Sequence, residues 1–203
     1  MGMIDLKQAM DVAVQAAKKA GEYISQGFEE DIDFSIKTDL SDRVTQVDLD
    51  AQRAIIKILK EHFPKCSILA EEEGVGGVDD NSEYRWVIDP LDGTANFTQK
   101  LPNVGVSIAL QQNGESVVGV LFFPVLNDCY TAIKGEGAFL NGKPIHIQEC
   151  EKMIDAYIAE VFSDRMHRGK DIQYPPCTAF RKFGSAVTSL AYLARGCIHG
   201  VAL

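Results

Sequence analysis

Residues 86–97, WVIDPLDGTANF, decide both the fold and the chemistry that this sequence predicts. The first three residues are apolar, as in a buried strand, and they lead directly into Asp89. Pro90 restricts the backbone that follows, and Asp92 comes soon after it, so both carboxylates can point into one small volume. Because two anions held together repel each other, this segment predicts a site for a divalent cation.

The second half of the segment predicts a place for an anion. Gly93 lets the backbone approach a ligand closely, and Thr94 stands where a helix could begin. Free N–H groups at the start of a helix suit a phosphate. The alternative interpretation is a capped turn, because an Asp-Gly pair on its own is usually a turn.

Two upstream segments carry further acidic side chains. Glu71 and Glu72 follow a short apolar stretch, 67–70, and open α/β sheets tend to build sites beyond strand ends. The alternative for this pair is a solvated run of charges. Residues 37–48, KTDLSDRVTQVD, are rich in Thr and Asp, and their simplest interpretation is helix capping.

The composition is that of an ordinary globular protein. The 203 residues include 46% hydrophobic and 24% charged side chains, which excludes a disordered tail, a collagen-like fibre and a simple coiled coil. A net charge of −9 disfavours binding to nucleic acid, so no nucleic-acid partner held through bulk charge is expected. Five scattered cysteines, and no stretch resembling a secretion signal or a membrane span, predict a cytoplasmic protein without a membrane partner.

The hydrophobic periodicity predicts a mixture of helices and strands. Helices are expected at 4–28, 45–63 and 185–195, the last with Ser185 near its N-cap and Gly196 just past its end. The predicted strands are 67–70, 85–88, 104–110, 117–123, 129–133, 138–140 and 156–161. Hairpin turns are expected at 113–114 and 141–142, a surface loop at 162–178, and the start of a buried strand at 198–203.

The three acidic segments, in this order and at this spacing, resemble the inositol monophosphatase family of lithium-sensitive, Mg²⁺-dependent phosphatases. That family shows a lysine, then D-x-V-T-x-x-D, G/A-E-E and W-x-I-D-P-[IL]-D-G-T-x-N-F. The matching positions here are Lys37, 42–48, 70–72 and 86–97. Residues 181–186, RKFGSA, match the R-x-x-G-[ST]-A segment that precedes a helix in the family, so the resemblance covers nearly the whole chain.

The resemblance implies a metal site. Glu71, Asp89 and Asp92 would be carboxylate ligands of Mg²⁺, and the main-chain carbonyl of Leu91 would complete the shell. Glu71 would also serve catalysis. Lys37 would lie near a loop that closes over the metals. Residues 74–82, rich in Gly, Asp and Asn, are predicted separately to form a loop, and the sequence does not say whether that loop closes over the site.

The resemblance also implies how water and substrate are held. Asp48 and Thr94 would form a hydrogen-bonded pair that positions or deprotonates the attacking water. The N–H groups of Gly93 and Thr94 would hold the phosphate. The implied substrate-binding residues are Leu91, Asp92, Gly93, Thr94, Gly184, Ser185 and Ala186, of which the last three would contact the polyol.

The implied activity is Mg²⁺-dependent hydrolysis of a small polyol or sugar phosphate, above all inositol monophosphate. A phosphate monoester is a dianion that repels a nucleophile, so a metal-assisted, in-line attack by water without a phosphoenzyme is expected, with inhibition by lithium. Fructose-1,6-bisphosphatase and 3′-phosphoadenosine 5′-phosphate phosphatase activities are alternatives that share the metal motif. A catalytically impaired, dimerising regulatory protein is an alternative of another kind, and homodimers are common in the family.

The fold class implied is α+β, a layered αβαβα sandwich with paired helices on a large antiparallel sheet. Residues 1–150 would form the portion that carries the site, and 151–203 the start of a second α/β portion. The family carries a further metal-binding Asp in a C-terminal W-D-x-A motif, but the only tryptophan here is Trp86. We therefore expect a C-terminally truncated fold, either part of a longer protein or a short form with weak second-metal binding and little turnover.

Overall fold

The computed structural model describes residues 3–29, 34–36, 43–72, 82–161 and 176–202. Its α-helices are α1 (Leu6–Glu29), α2 (Gln46–His62), α3 (Thr94–Thr98) and α4 (Ala186–Ala194), and Met153–Asp155 form a 3₁₀ turn. The strands are β1 (Phe34–Ile36), β2 (Arg43–Thr45), β3 (Ser67–Ala70), β4 (Tyr84–Asp92), β5 (Gly105–Gln112), β6 (Glu115–Phe123), β7 (Asp128–Ile133), β8 (Gly137–Leu140), β9 (Lys143–Ile145), β10 (Tyr157–Glu160), β11 (Ala179–Arg181) and β12 (Gly200–Ala202). None of the helices in the described part of the chain has the length and apolarity needed to cross a bilayer.

Helix α1 packs closely because its buried face is built from small residues. Asp5 caps its first turn, where the carboxylate accepts a hydrogen bond of 2.9 Å from the N–H of Lys7. Gly21 lies against the ring of Phe122 on β6, and a Cβ at this position would collide with that ring. The fully buried alanines on this face are Ala9, Ala13, Ala16, Ala17 and Ala20. Their small side chains let the helix lie close to the sheet, and the helix predicted at 4–28 is confirmed.

Seven strands form the main sheet in the order β3-β4-β5-β6-β7-β8-β9. All neighbours in it are antiparallel except β3 and β4, which are parallel, so the expected large antiparallel sheet is present with one parallel pair at its edge. Because β3 and β4 run the same way, their carboxyl ends lie at one edge of the sheet. That edge carries the acidic residues discussed below.

The layers follow from the two-residue alternation of each strand. On β6, Val120 and Phe122 face the core beneath α1 and α2, whereas Phe123 joins a second apolar cluster with Tyr130, Val187 and Ala191. Helix α4 therefore packs on the opposite face of the main sheet. A second sheet, β11-β10-β12, is entirely parallel and follows on that side. This order of layers confirms the α+β sandwich.

Most predicted elements are confirmed, and the differences have local causes. The turns at Asn113-Gly114 and Asn141-Gly142 both have positive φ at each residue, as hairpins of this type require. The strand predicted at 85–88 is longer, because β4 continues through Pro90 to Asp92. Strands β1, β2, β9 and β11 are not among the predicted strands, since three residues are too few to show a periodicity. Most of the predicted loops at 74–82 and 162–178, together with Lys37, lie outside the described residues.

Candidate active site

The carboxyl ends of β3 and β4 bring the acidic segments together. Glu71 directly follows β3, and its N–H donates a 3.1 Å hydrogen bond to the carbonyl of Ile88, which extends the pairing with β4. Opposite β5, the pairing of β4 shifts between Asp89 and Asp92, a β-bulge. Both aspartates therefore belong to one distorted strand end, and the break in the strand predicted after Ile88 is instead this bulge.

The pKa of Asp89 responds to its burial and to two neighbouring carboxylates. Burial of its carboxyl, followed by the charges of Asp92 and Glu71, raises this pKa to about 8. A hydrogen bond of 3.1 Å from the N–H of Leu91 to Asp89 Oδ1 offsets part of this rise. A bound cation would remove the electrostatic cost of these charges.

Asp92 is tied to helix α4. The Ser185 hydroxyl donates to its Oδ2, and the N–H groups of Ala186 and Val187 donate to Oδ1 and Oδ2, each at 3.2 Å. Burial raises the pKa of Asp92, and these three hydrogen bonds act against that rise. Ser185 and Ala186, two of the predicted substrate-binding residues, thus contact the predicted metal ligand Asp92 and link the start of α4 to the end of β4.

Asp48 combines helix capping with a contact to the site. Its Oδ2 accepts hydrogen bonds from the N–H and hydroxyl of Thr45, at 2.7 and 2.5 Å, in a capping box at the start of α2. Its Oδ1 lies 3.1 Å from the Thr94 hydroxyl, which is also 3.1 Å from the carbonyl oxygen of Leu91. Asp48 is fully buried, and this burial raises its pKa. Asp48 therefore both caps α2 and makes the predicted contact with Thr94.

Two glycines allow the main chain to pass close to other groups. Gly93 has φ +87°, and a Cβ there would lie 2.7 Å from the carbonyl oxygen of Asn103. Gly184 has φ +67°, and a Cβ there would lie 2.7 Å from Oδ1 of Asn96. The Asn96 amide donates to the carbonyls of Asn103 and Phe183 at 2.9 and 2.8 Å. Asn96 thus joins α3 to the turn before α4, a role that sequence reasoning did not assign to it.

Gln52 is a second residue that sequence reasoning missed. Its side-chain amide donates to the carbonyl of Glu72 and accepts from the N–H of Glu72, both at 3.0 Å. The signal available in the sequence is its position one helical turn after Asp48, on the same face of α2.

The donor set at this edge fits a hard cation. Glu71, Asp89 and Asp92 supply carboxylate oxygens, the donors that Mg²⁺ prefers. Burial, and then the charges of Asp92 and Glu71, raise the pKa of Asp89, and a bound cation would offset this cost of ionisation. Among the described residues, however, no three His, Cys, Asp or Glu side chains converge tightly enough to form a ready-made metal site. The assignment of these ligands stays a prediction.

The comparisons with known proteins agree with this fold. The sequence model of the inositol monophosphatase family matches residues 5–202. Nus factor SuhB of Escherichia coli strain K12 is 36% identical over 94% of this chain and 74% of its own length. The name Nus factor, shared by several such relatives, leaves the expectation of no nucleic-acid partner unsupported.

Solved structures give the same result. The extragenic suppressor protein SuhB of Bartonella henselae superposes with a TM-score of 0.88 at 33% identity, covering 96% of this chain and 77% of its own. The inositol monophosphatase of the cyanobacterium Anabaena superposes with a TM-score of 0.83 at 31% identity, covering 98% and 75%. Similarity in sequence and in structure therefore extends over almost all of the chain, and the chain belongs to the inositol monophosphatase family.

Proposed function

We propose that this protein is a Mg²⁺-dependent phosphatase that hydrolyses a small polyol or sugar phosphate monoester, with inositol monophosphate as the foremost substrate. The observation that supports this most directly is the contact between Asp48 and the Thr94 hydroxyl, at the sheet edge that also carries Glu71, Asp89 and Asp92. Membership of the family supports a metal-dependent phosphatase in general.

The residues divide the work of hydrolysis between them. The Thr94 hydroxyl donates a hydrogen bond to Asp48, so its oxygen is free to accept one from an attacking water. As the water attacks, its proton would pass to the Thr94 oxygen while the Thr94 hydroxyl proton passes to the Asp48 carboxylate, where it ends. The N–H groups of Gly93 and Thr94 would hold phosphate oxygens, and Ser185 and Ala186 would contact the polyol. Bound by Glu71, Asp89, Asp92 and the carbonyl of Leu91, Mg²⁺ would supply the positive charge that offsets the phosphate dianion and activates water.

Phosphate release from the 203-residue chain tests this proposal. Inositol 1-phosphate, fructose 1,6-bisphosphate and 3′-phosphoadenosine 5′-phosphate are compared at equal concentration while Mg²⁺ is varied. We expect release from inositol 1-phosphate to be the fastest, to saturate with Mg²⁺ and to be inhibited by lithium. A preference for either of the other substrates would correct the substrate, and Mg²⁺-independent release would overturn the mechanism.

A non-catalytic, dimerising regulatory role is the second candidate, and the name Nus factor carried by relatives favours it. The same assay bears on both functions, because phosphate release supports the phosphatase, whereas a folded chain that binds no Mg²⁺ and releases no phosphate from any of the three substrates would favour this second role. Light scattering of the chain in solution measures whether it is the expected homodimer. A cytoplasmic location remains a prediction of this proposal.

A further inference from the structure

We propose that Gln52 is a positioning residue for Glu71, and that its side-chain amide sets the affinity of the site for Mg²⁺. This inference rests on the proposed function, because it takes Glu71 as a metal ligand. It concerns a residue that neither the acidic motifs nor the Asp48–Thr94 pair include. It is supported by the hydrogen bonds that hold the main chain of Glu71 and Glu72 just after the end of β3.

The segment that carries Glu71 is fixed on both sides of this residue. The N–H of Glu71 itself donates to the carbonyl of Ile88 at 3.1 Å, on β4. Immediately after it, the N–H and the carbonyl of Glu72 both bond to the Gln52 amide, each at 3.0 Å. Strand β3 ends at Ala70, so these bonds take over from the regular sheet pairing. They hold Glu71 between two fixed points.

A glutamine is suited to this task because its amide is both a donor and an acceptor. Satisfying the N–H and the carbonyl of one residue at the same time requires both groups on one rigid plane. Gln52 is fully buried, so neither bond is exposed to competition from bulk solvent. An apolar side chain of the same length would fill the volume and leave both main-chain groups of Glu72 without this partner.

Helix α2 connects the Gln52–Glu72 hydrogen bonds to the Asp48–Thr94 pair. Asp48 and Gln52 are one turn apart on the same buried face of α2. Asp48 contacts Thr94, and Gln52 contacts the main chain just after the end of β3, so one rigid helix makes both contacts. The distance between the water-positioning pair and Glu71 is thereby set by a helix rather than by a loop. Partners of metal ligands that act in this way change metal affinity about 10- to 100-fold when they are removed.

Mg²⁺ binding to the intact chain tests the proposal without relying on activity. Titration calorimetry would compare wild type with Gln52→Met, which has similar length but no hydrogen-bonding groups. We expect at least roughly tenfold weaker Mg²⁺ binding. In the phosphatase assay, the Mg²⁺ concentration giving half-maximal rate should rise in parallel, while kcat at saturating Mg²⁺ and the KM for substrate change much less.

Two further variants control for folding. Gln112 is another glutamine whose amide makes a hydrogen bond, here of 2.8 Å to Glu83, so Gln112→Met matches the chemical change away from the site. It should leave Mg²⁺ affinity unchanged. Gln52→Asn keeps a polar amide in the buried position but is one methylene too short to make both bonds. It should fold even where Gln52→Met does not, with Mg²⁺ affinity between those of Gln52→Met and wild type.

The outcomes separate this inference from the proposed function. Wild-type Mg²⁺ affinity in folded Gln52→Met or Gln52→Asn would overturn the positioning role while leaving the phosphatase intact. An equal loss of affinity in Gln112→Met would show a general effect of stability and would also overturn it. Wild type that neither binds Mg²⁺ nor releases phosphate would instead remove the proposed function, and this inference with it.

Discussion

Asp48 is the side chain whose two hydrogen-bonding roles can be separated by one substitution. Asp48→Asn keeps an acceptor for the N–H of Thr45 but removes the negative charge facing the Thr94 hydroxyl. We expect kcat to fall by about 10²-fold or more, the range of lost general base catalysis, with little change in melting temperature. The matched control is Thr98→Ala, which removes a hydroxyl from the same helix as Thr94, bonded to the carbonyl of Ala95. If both variants lose activity equally, the Asp48–Thr94 pair has no special role.

Asp89 makes the stability of the metal-free protein depend on pH. Because its pKa rises from 3.8 to about 8 on folding, only the folded state binds this proton between these values. The free energy of unfolding therefore decreases as pH rises through this window. Asp89→Asn should make this decrease smaller, melt above wild type near pH 8 in chelator, and lose the stabilisation that Mg²⁺ gives to wild type. Thermal denaturation with and without Mg²⁺ measures both effects, and an unchanged Mg²⁺ response in the variant would remove Asp89 from the ligand set.

Ser185, at the N-terminus of helix α4, holds this helix against the end of β4. Ser185 accepts from the N–H of Thr188 at 2.9 Å and donates to Asp92, so it caps the helix and links it to β4. Ser185→Ala should lower the free energy of unfolding by about 1–2 kcal/mol. Ser189→Ala, on the same helix, removes only a bond to the carbonyl of Ser185 and should cost less. Urea denaturation compares them, and equal losses would show that the cap and its link to Asp92 add nothing.

The sequence predicts some elements better than others, and the reason is how far apart in the chain the interacting residues are. Helices α1, α2 and α4 arise from periodicity and caps within one segment, so local patterns were sufficient. The parallel pairing of β3 with β4 and the bulge before Asp92 depend on partners elsewhere in the chain. The acidic residues of the site were found because they follow one another in short motifs.

The contacts that assemble the site were not predictable in the same way. The bond between Ser185 and Asp92 joins residues 93 positions apart, and the motifs that contain them do not indicate that they touch. Asn96 and Gln52 act through main-chain atoms of distant segments, and side-chain chemistry alone gives no sign of such partners.

The two sheets are held together by contacts of several kinds. The apolar cluster of Phe123, Tyr130, Val187 and Ala191 packs α4 on the main sheet, and the Asp92 bonds add polar links to the same helix. The main sheet ends at Ile145 and the second begins at Tyr157, close to the boundary proposed at residue 150. These contacts predict that the portions on either side of this boundary unfold together.

The single tryptophan allows this cooperativity to be measured. Trp86 is fully buried in the main sheet, so its fluorescence reports the first portion alone, whereas far-UV circular dichroism reports helices and strands of both. We expect the two signals to give one coincident urea transition. Val187→Ala, which trims the apolar cluster by two methyl groups, should lower the free energy of unfolding by about 1–3 kcal/mol. The transition should therefore move to lower urea without splitting. A circular dichroism change that precedes the fluorescence change would show instead that residues 151–203 unfold independently, so that their contact with Asp92 can be lost while the main sheet stays folded.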